Sequence, residues 1–163
     1  MIIIFITYTP PFPYNIQKRI STVNNNNMFR KGFYFSSKIE KNKGDRDFKL
    51  ASLNVNKLST HIDEIRILLV DKCLDVLAIQ ETKVDVSNNN SDFYICGYEL
   101  IRRDRLSDAG GGICFYNKST LKFSVRTDLN IEELENLCIE IREPNSKPFK
   151  LLLSIGIDLL ILQ

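Results

Sequence analysis

Two apolar segments on either side of an amphipathic one constrain the fold of this chain more than any other feature. Residues 48–55 form a largely apolar run bounded by polar residues, which is typical of a strand. Residues 75–79 form a shorter, nearly continuous apolar run, as expected for a strand that is covered on both faces. Both runs are therefore predicted to be strands in the interior of a sheet.

The segment between the two runs has the period of an α-helix. Ser59 and Thr60 are candidates for the N-cap, and Asp63 and Glu64 place negative charge in the first turn, where it suits the helix dipole. One apolar stripe follows at helical spacing, formed by Ile62, Ile65, Leu68, Leu69 and Cys73. A strand, a helix and a second strand predict two parallel strands joined by a right-handed crossover.

Polar side chains stand at the carboxyl ends of both predicted strands. Asn54 lies at the end of the first strand, and Glu81 follows the second. Functional groups tend to gather beyond the carboxyl ends of parallel strands, so this pair is the first candidate site. We expect the Asn54 carboxamide and the Glu81 carboxylate to converge as part of an ion pocket.

Beyond residue 90 the pattern changes to strands alone. Residues 137–142 alternate between apolar side chains and polar or small ones, the period of two that marks a half-buried antiparallel strand. The predicted strands are Tyr98–Arg102, Gly112–Tyr116, Leu121–Val125, Leu137–Arg142 and Phe149–Ile155. A parallel unit followed by a meander predicts an α/β sandwich that is unfinished where the chain ends.

The charge distribution argues against a strongly basic nucleic-acid-binding domain. The chain carries a net charge of +2, but residues 1–47 hold eight Lys or Arg against three Asp or Glu, which gives +5. Residues 48–163 hold fourteen against seventeen, which gives −3. Any nucleic-acid contact of the globular part must therefore come from the local placement of charge.

The two ends of the chain are predicted to lie outside the domain. Residues 1–46 contain an asparagine tract, scattered prolines and a basic excess, and we interpret them as a low-complexity, disordered leader, with a nucleic-acid-binding arm as the alternative. The domain is assigned to residues 47–155 and an apolar tail to residues 156–163. Neither terminal apolar run has the features of a signal peptide or a membrane span, so no membrane segment is expected.

The cysteines are too scattered to predict a zinc site. No C-x-x-C pair and no neighbouring histidine is present. Cys73 ends the apparent helix, and the other three fall in apparent strands: Cys96, Cys114 and Cys138. We interpret them as small buried hydrophobic residues in a reducing compartment. An intracellular location is expected, and nucleus and cytoplasm are not distinguished.

Four short motifs occur in the predicted domain. They are Ser52–Asn56, Asp75–Thr82 with its "IQET" turn, Gly97-Tyr98 followed by Arg103–Arg105, and Gly110–Ile113. Together they resemble the endonuclease/exonuclease/phosphatase family, above all the endonuclease domains of non-LTR retrotransposons, which are similar to apurinic/apyrimidinic endonucleases. The resemblance covers about residues 48–149. It implies the N-terminal half of a four-layer α/β sandwich, with the C-terminal half missing.

The resemblance implies a catalytic metal site at the two strand ends. Glu81 would be the ligand of Mg²⁺, and Asn54 would be the carboxamide that lines the same site. The chemistry agrees, because Mg²⁺ takes oxygen ligands and is usually held by one or two carboxylates, with water and substrate phosphate completing the shell. A neutral Asn binds a phosphate oxygen or the attacking water without adding negative charge.

Three basic residues are candidates for binding the substrate. Arg103 and Arg105 either grip phosphates through bidentate hydrogen bonds or belong to a solvated loop with a local Arg–Asp pair. Lys57 stands where many members of the family have glycine, so it either adds a phosphate contact or stiffens the loop unfavourably. The run Gly110–Gly112 is interpreted as a tight turn with positive φ rather than a cradle for phosphate.

Other residues that the resemblance implies for hydrolysis are absent from the chain. These are a Tyr in a "YRPP"-like strand, a D-x-N pair, and an Asp-His pair in an "SDH" motif, which would activate the water and stabilise the phosphate. The single histidine, His61, comes before the Glu81 motif and is interpreted as a solvated residue at the helix start. Asp128-Leu129-Asn130 spells D-x-N in a predicted turn, and Ser107-Asp108 is followed by alanine, so neither is taken as the motif.

The sequence thus predicts a truncated Mg²⁺-dependent DNA endonuclease domain from a non-LTR retrotransposon, inactive alone. The alternative is a repurposed nucleic-acid- or protein-binding module without catalysis, using the Arg103 and Arg105 edge or the basic leader. DNA is the partner that the resemblance implies. An unfinished sandwich leaves an apolar sheet face and an open strand edge, so aggregation or a partner chain is also expected.

Overall fold

The computed structural model describes residues 3–8, 20–22, 33–35, 48–105, 110–131, 134–143 and 147–162. One α-helix, α1, spans Ile62–Lys72. Short 3₁₀ turns span Leu58–Thr60, Asn90–Phe93 and Thr127–Leu129. The strands, in chain order, are β1 (Ile3–Tyr8), β2 (Ile20–Thr22), β3 (Phe33–Phe35), β4 (Phe48–Asn54), β5 (Val76–Gln80), β6 (Tyr98–Arg103), β7 (Ile113–Lys118), β8 (Phe123–Val125), β9 (Asn136–Ile141), β10 (Phe149–Ser154) and β11 (Ile157–Leu162).

These strands form two main sheets. The first has five strands in the order β1-β4-β5-β7-β6, and the second has four in the order β11-β10-β9-β8. β4 and β5 are parallel, with Asn54 opposite Gln80, whereas β5 and β7 are antiparallel. β2 and β3 form a separate antiparallel pair. The mixed α/β architecture with two sheets confirms the predicted fold class.

Helix α1 covers the outer face of the five-stranded sheet. Its buried side chains, Ile65, Leu68 and Leu69, pack in one core with apolar residues of β4, β5 and β7. Cys73 follows the last helical residue and caps the helix, with a φ of 48°, the left-handed conformation that commonly closes a helix. The chain then returns to the sheet, where the Asp75 amide donates to the Lys49 carbonyl at 2.8 Å.

The opposite face of the same sheet packs on the four-stranded sheet. This second core contains Leu50, Val76 and Phe115 from one sheet and Ile139 and Leu151 from the other. The rings of Phe48 and Phe149 meet edge to face across it, with centroids 5.3 Å apart. Because successive side chains of a strand alternate between faces, both cores arise from the nearly continuous apolar runs of β4 and β5.

The predicted helix and strands agree with the structure except at their ends. The N-cap prediction is wrong: Ser59 and Thr60 belong to the 3₁₀ turn, and α1 follows His61, which makes no side-chain capping bond. The Thr60 hydroxyl instead donates to the Lys57 carbonyl at 2.9 Å. The strand predicted from Leu121 begins at Phe123.

The segments predicted to lie outside the domain contain strands. Within residues 1–46, where no regular structure is expected, β1 pairs antiparallel with β4 along its whole length, from Ile3 opposite Leu53 to Tyr8 opposite Phe48. The asparagine tract of residues 24–27 lies outside the described residues. Residues 157–162 of the predicted tail form β11, which pairs with β10 and adds Leu159 to the second core.

Two of the cysteines differ from the expectation of burial. Cys114 and Cys138 are buried in β7 and β9, but Cys73 and Cys96 are exposed, and all four are free thiols. Cys96 lies in the turn before β6 rather than in a strand. Among the described residues, no helix has the length and apolar character needed to cross a bilayer.

Candidate functional site

The carboxyl ends of β4 and β5 are joined to each other by backbone hydrogen bonds. The Val55 amide donates to the Gln80 carbonyl at 3.1 Å, and the Lys57 amide donates to the Glu81 carbonyl at 2.9 Å. Asn54 and Glu81 therefore follow neighbouring strands at the same edge of the sheet. Asn54 shares the strand face of Leu50, which packs toward the four-stranded sheet. Within the described residues, no hydrogen bond engages its carboxamide.

Unfavourable backbone conformations concentrate in these two segments. Five described residues other than glycine have positive φ, and four of them lie just after β4 and β5: Asn56 at 50°, Lys57 at 128°, Glu81 at 56° and Lys83 at 52°. Such conformations cost about 1–3 kcal/mol each and persist only where surrounding contacts impose them. Because they cluster at functional sites, this strain supports the candidate site independently of the motifs.

The glycine run holds the Glu81 carboxylate. The Gly111 amide donates to Glu81 Oε2 at 2.9 Å, and a Cβ added to Gly110 would lie 3.1 Å from the same oxygen. The Lys83 and Thr82 amides donate to the Gly111 and Gly112 carbonyls, at 2.9 Å and 3.0 Å, so the run is also paired with the chain that follows β5. Positive φ at Gly111 and Gly112 agrees with the predicted conformation of the run, whereas residues 110–112 show no turn in the structure.

A second carboxylate, Glu135, lies at the same glycine run and was not predicted. It precedes β9, and its Oε2 accepts a 2.5 Å hydrogen bond from the Gly112 amide. A Cβ at Gly111 would collide with this carboxylate. The one signal in the sequence that could have pointed to Glu135 is its position just before a strand of period two. That pattern does not show at which end of the sandwich the strand begins.

Gln80 connects the two sheets beside these carboxylates. Its Nε2 donates to the Ser154 carbonyl at 2.7 Å, across 74 residues of sequence. The next residue, Ile155, donates its amide to the Glu135 carbonyl at 3.1 Å. The carboxyl ends of β5 and β10 therefore meet the beginnings of β7 and β9 at one end of the sandwich.

Arg103 and Arg105 make contacts within the protein. Arg103 Nη1 donates to the Asn136 carbonyl and side-chain oxygen at 2.9 and 3.1 Å, and its Nη2 donates to the Ile131 carbonyl at 3.1 Å. Arg105 forms an ion pair with Asp85 at 2.8 Å. A hydrogen bond from Ser87, together with this guanidinium, lowers the pKa of Asp85. Lys57, one of the residues with positive φ, is exposed.

The residues excluded by sequence reasoning have structural contacts. His61 lies 3.8 Å from Glu64 at the start of α1. Asp128 forms a 2.7 Å ion pair with Arg126, which lowers the pKa of that carboxyl, and Asn130 is exposed at the end of the same 3₁₀ turn. Ser107 and Asp108 lie outside the described residues.

The donor set fits a hard divalent cation that is held by few protein ligands. No cluster of three or more acidic, His or Cys residues suited to a metal occurs in the described part of the chain. One carboxylate, Glu81, nevertheless stands at the joined strand ends, and Mg²⁺ is usually bound through one or two carboxylates with water and phosphate. The roles of Glu81 as metal ligand and of Asn54 as the carboxamide that lines the same site stay predictions.

Several solved structures are similar to this chain, among them the following three. An AP endonuclease (LMAP) from Leishmania major matches with a TM-score of 0.54 and 19% identity, covering 68% of this chain and 40% of that one. An AP endonuclease from Archaeoglobus fulgidus has a TM-score of 0.45 and 23% identity over 60% of this chain and 37% of its own. The catalytic domain of Xenopus laevis APE2 has a TM-score of 0.45 and 16% identity over 64% and 43%.

The fold assignment rests on the first of these structures. The chain has an AP-endonuclease-like α/β fold, as the resemblance of its motifs predicts. It covers 40% of the length of the Leishmania major protein. No family model and no curated protein matches the sequence, so the likeness is one of structure.

Proposed function

We propose that this chain carries the cation-binding end of a Mg²⁺-dependent DNA endonuclease domain of the endonuclease/exonuclease/phosphatase family. The observation that carries the proposal is the joined pair of strand ends, where Glu81 follows β5 and Asn54 ends β4. The local backbone strain and the AP-endonuclease-like fold support it. A retrotransposon origin rests on the four sequence motifs, because the structural likeness extends to the fold alone.

Each residue of the pair has a distinct role in this proposal. The Glu81 carboxylate, held by the Gly111 amide, binds the divalent cation. The Asn54 carboxamide orients a phosphate oxygen or the attacking water, which it can do because no described residue engages it. A bound Mg²⁺ would supply electrostatic stabilisation for the charge that develops on the phosphate.

The chain is proposed to bind the cation without hydrolysing DNA by itself. Hydrolysis needs a group that deprotonates the attacking water, a contribution of about 10²–10⁴-fold in rate. The single histidine is His61, which neighbours Glu64 at the start of α1. The one D-x-N sequence has its Asp paired with Arg126. These contacts give neither residue a catalytic role.

The alternative of a DNA-binding module at the Arg103 and Arg105 edge has less support. Both guanidinium groups already have partners, Asn136 and Ile131 for Arg103 and Asp85 for Arg105. Binding a phosphate would require these contacts to be exchanged. A salt titration of DNA binding tests this alternative, because phosphate contacts weaken steeply as the salt concentration rises.

Titration with Mn²⁺ in place of Mg²⁺ tests the cation site. Calorimetry of the full chain should detect one Mn²⁺ site, and Glu81→Gln should weaken it by at least about tenfold. Glu99→Gln is the matched control, because Glu99 is exposed on β6 at the opposite end of the sheet. Unchanged Mn²⁺ affinity in Glu81→Gln would contradict the proposed site.

A nicking assay tests the proposed lack of hydrolysis. Supercoiled plasmid incubated with the full chain and Mg²⁺ should be nicked no faster than in buffer containing EDTA. Nicking that requires Mg²⁺ and is lost in Glu81→Gln would show an active enzyme. The cation site would then stand, and the proposed inactivity would be wrong.

A further inference from the structure

Glu135 reaches the candidate site from the second sheet. Its carboxylate accepts the Gly112 amide, while its carbonyl accepts the Ile155 amide at the end of β10. Glu81, by contrast, belongs to the first sheet and accepts the Gly111 amide. Two acidic side chains from different sheets are therefore held by consecutive amides of one loop.

The glycine run, Gly110–Gly112, links Glu135 to Glu81 through hydrogen bonds. Its Gly111 and Gly112 carbonyls accept the amides of Lys83 and Thr82, so a shift of the loop displaces the chain on which Glu81 stands. The Gly111 amide also orients the Glu81 carboxylate directly. The hydrogen bond from Gly112 to an ionised carboxylate is of the short, charge-assisted kind, which is about twice as strong as a neutral one.

Three glycines in succession are explained by these contacts. A Cβ at Gly111 would meet the Glu135 carboxylate, and a Cβ at Gly112 would meet the Thr82 hydroxyl. A Cβ at Gly110 would lie 3.1 Å from Glu81 Oε2, which is a tight contact. The loop approaches both carboxylates at a distance that a side chain would not permit. The amides of Gly111 and Gly112 already bind carboxylates, which leaves them no role as a phosphate cradle.

We infer that Glu135 is a positioning residue for the cation site. It holds the Gly110–Gly112 run through the Gly112 amide, and the run in turn holds Glu81 in the orientation that binds the ion. The inference rests on the proposed cation site at Glu81. It assigns Glu135 a hydrogen-bonding role, which a neutral acceptor of the same shape can fill.

Two variants separate this role from direct binding of the ion and from general stability. Glu135→Gln keeps a side-chain oxygen that accepts the Gly112 amide, whereas Glu135→Ala removes it. Loss of partners that orient a metal ligand typically weakens metal affinity by about 10–100-fold. Glu135→Ala should therefore weaken Mn²⁺ binding at least about tenfold, and Glu135→Gln should retain affinity within about threefold of the wild type.

The amides themselves give a readout that does not depend on the ion. The chain has seven glycines, so the full chain labelled with [¹⁵N]glycine gives a simple spectrum, in which Gly111 is assigned by substitution. Without metal, Glu135→Ala should increase hydrogen exchange at the Gly111 amide, and Glu135→Gln should not. A variant that is only less stable would raise exchange at the other glycines as well, with Mn²⁺ affinity unchanged.

The outcomes distinguish this inference from the proposed function. If the wild type binds no Mn²⁺, the proposed cation site fails, and with it the inference. If Glu81→Gln loses Mn²⁺ but Glu135→Ala binds it as the wild type does, the cation site stands and the positioning role of Glu135 is overturned. Equal loss of affinity in Glu135→Gln and Glu135→Ala also overturns it, because the charge would then bind the ion directly.

Discussion

Lys57 occupies a backbone conformation that suits glycine, and replacing it should stabilise the protein. Its φ of 128° and ψ of 107° lie outside the regions that side chains permit, including the left-handed helical one. The conformation is imposed by its backbone contacts, since its amide donates to the Glu81 carbonyl and its carbonyl accepts the Thr60 hydroxyl. Lys57→Gly keeps both contacts.

The expected gain is the difference between two opposing terms. Relief of strain contributes about 1–3 kcal/mol. The greater freedom of glycine in the unfolded chain offsets about 0.5–1 kcal/mol of that. The Lys57 side chain is exposed, and among the described residues it makes no hydrogen bond or ion pair, so its removal adds no further cost. We therefore expect the free energy of unfolding to rise by up to about 2.5 kcal/mol.

Urea unfolding measures this change. The midpoint for Lys57→Gly should rise with an unchanged m-value, which marks a change in stability alone. Lys122→Gly is the matched control, because Lys122 is also exposed in a loop but has no positive φ, so the same substitution should lower stability by about 0.5–1 kcal/mol. If both variants are destabilised equally, Lys57 is not strained, and the reasoning from its backbone is refuted.

Three further predictions concern the glycine run, the pH dependence and the thiols. Gly111→Ala should lower the free energy of unfolding by more than about 1 kcal/mol, because the added Cβ collides with Glu135 and φ is 89°; an unchanged urea midpoint would contradict the close approach. Burial raises the pKa of Tyr98 to about 12, so the stability contributed by its neutral form is complete below pH 10 and falls as the pH rises from 10 toward 12. Tyr98→Phe should remove this loss of stability at alkaline pH. It should also lower the free energy of unfolding by about 1 kcal/mol at neutral pH, because it removes the hydrogen bond to the Leu74 carbonyl. Urea unfolding across pH measures both changes. A thiol reagent such as DTNB should titrate two cysteines in the folded chain and four after denaturation, the exposed pair being Cys73 and Cys96 and the buried pair Cys114 and Cys138.

The parallel unit and the location of the candidate site could be predicted because their signals are local. The helical spacing of Ile65 and Leu69 and the apolar run of β5 are properties of short segments, and each determines which face is buried. A strand, a helix and a strand have essentially one arrangement, so Asn54 and Glu81 follow from it as neighbours at one sheet edge. The limits of the elements were less accurate, because the cap of α1 depends on a 3₁₀ turn that has no clear periodicity.

The strained turn was predicted only in part. The family resemblance shows that Lys57 stands where glycine is common, but the sequence leaves open whether the lysine binds phosphate or stiffens the loop. The structure gives a reason for the glycine, because Lys57 has a φ of 128° imposed by its bonds to the chain after β5. A role in binding phosphate stays a prediction.

The sequence by itself determined the two apolar strands, the helix between them and the polar pair at their ends, since each depends on side chains within a few residues of one another. Only the tertiary structure decided that Glu135 joins this end of the sandwich, that Arg103 is engaged by Asn136, and that the glycine run holds carboxylates. These contacts join groups separated by 23 to 33 residues, and the Gln80 bond to Ser154 spans 74. Periodicity carries no information about such pairs, because they form only when strands distant in the sequence pair or when the two sheets pack on each other.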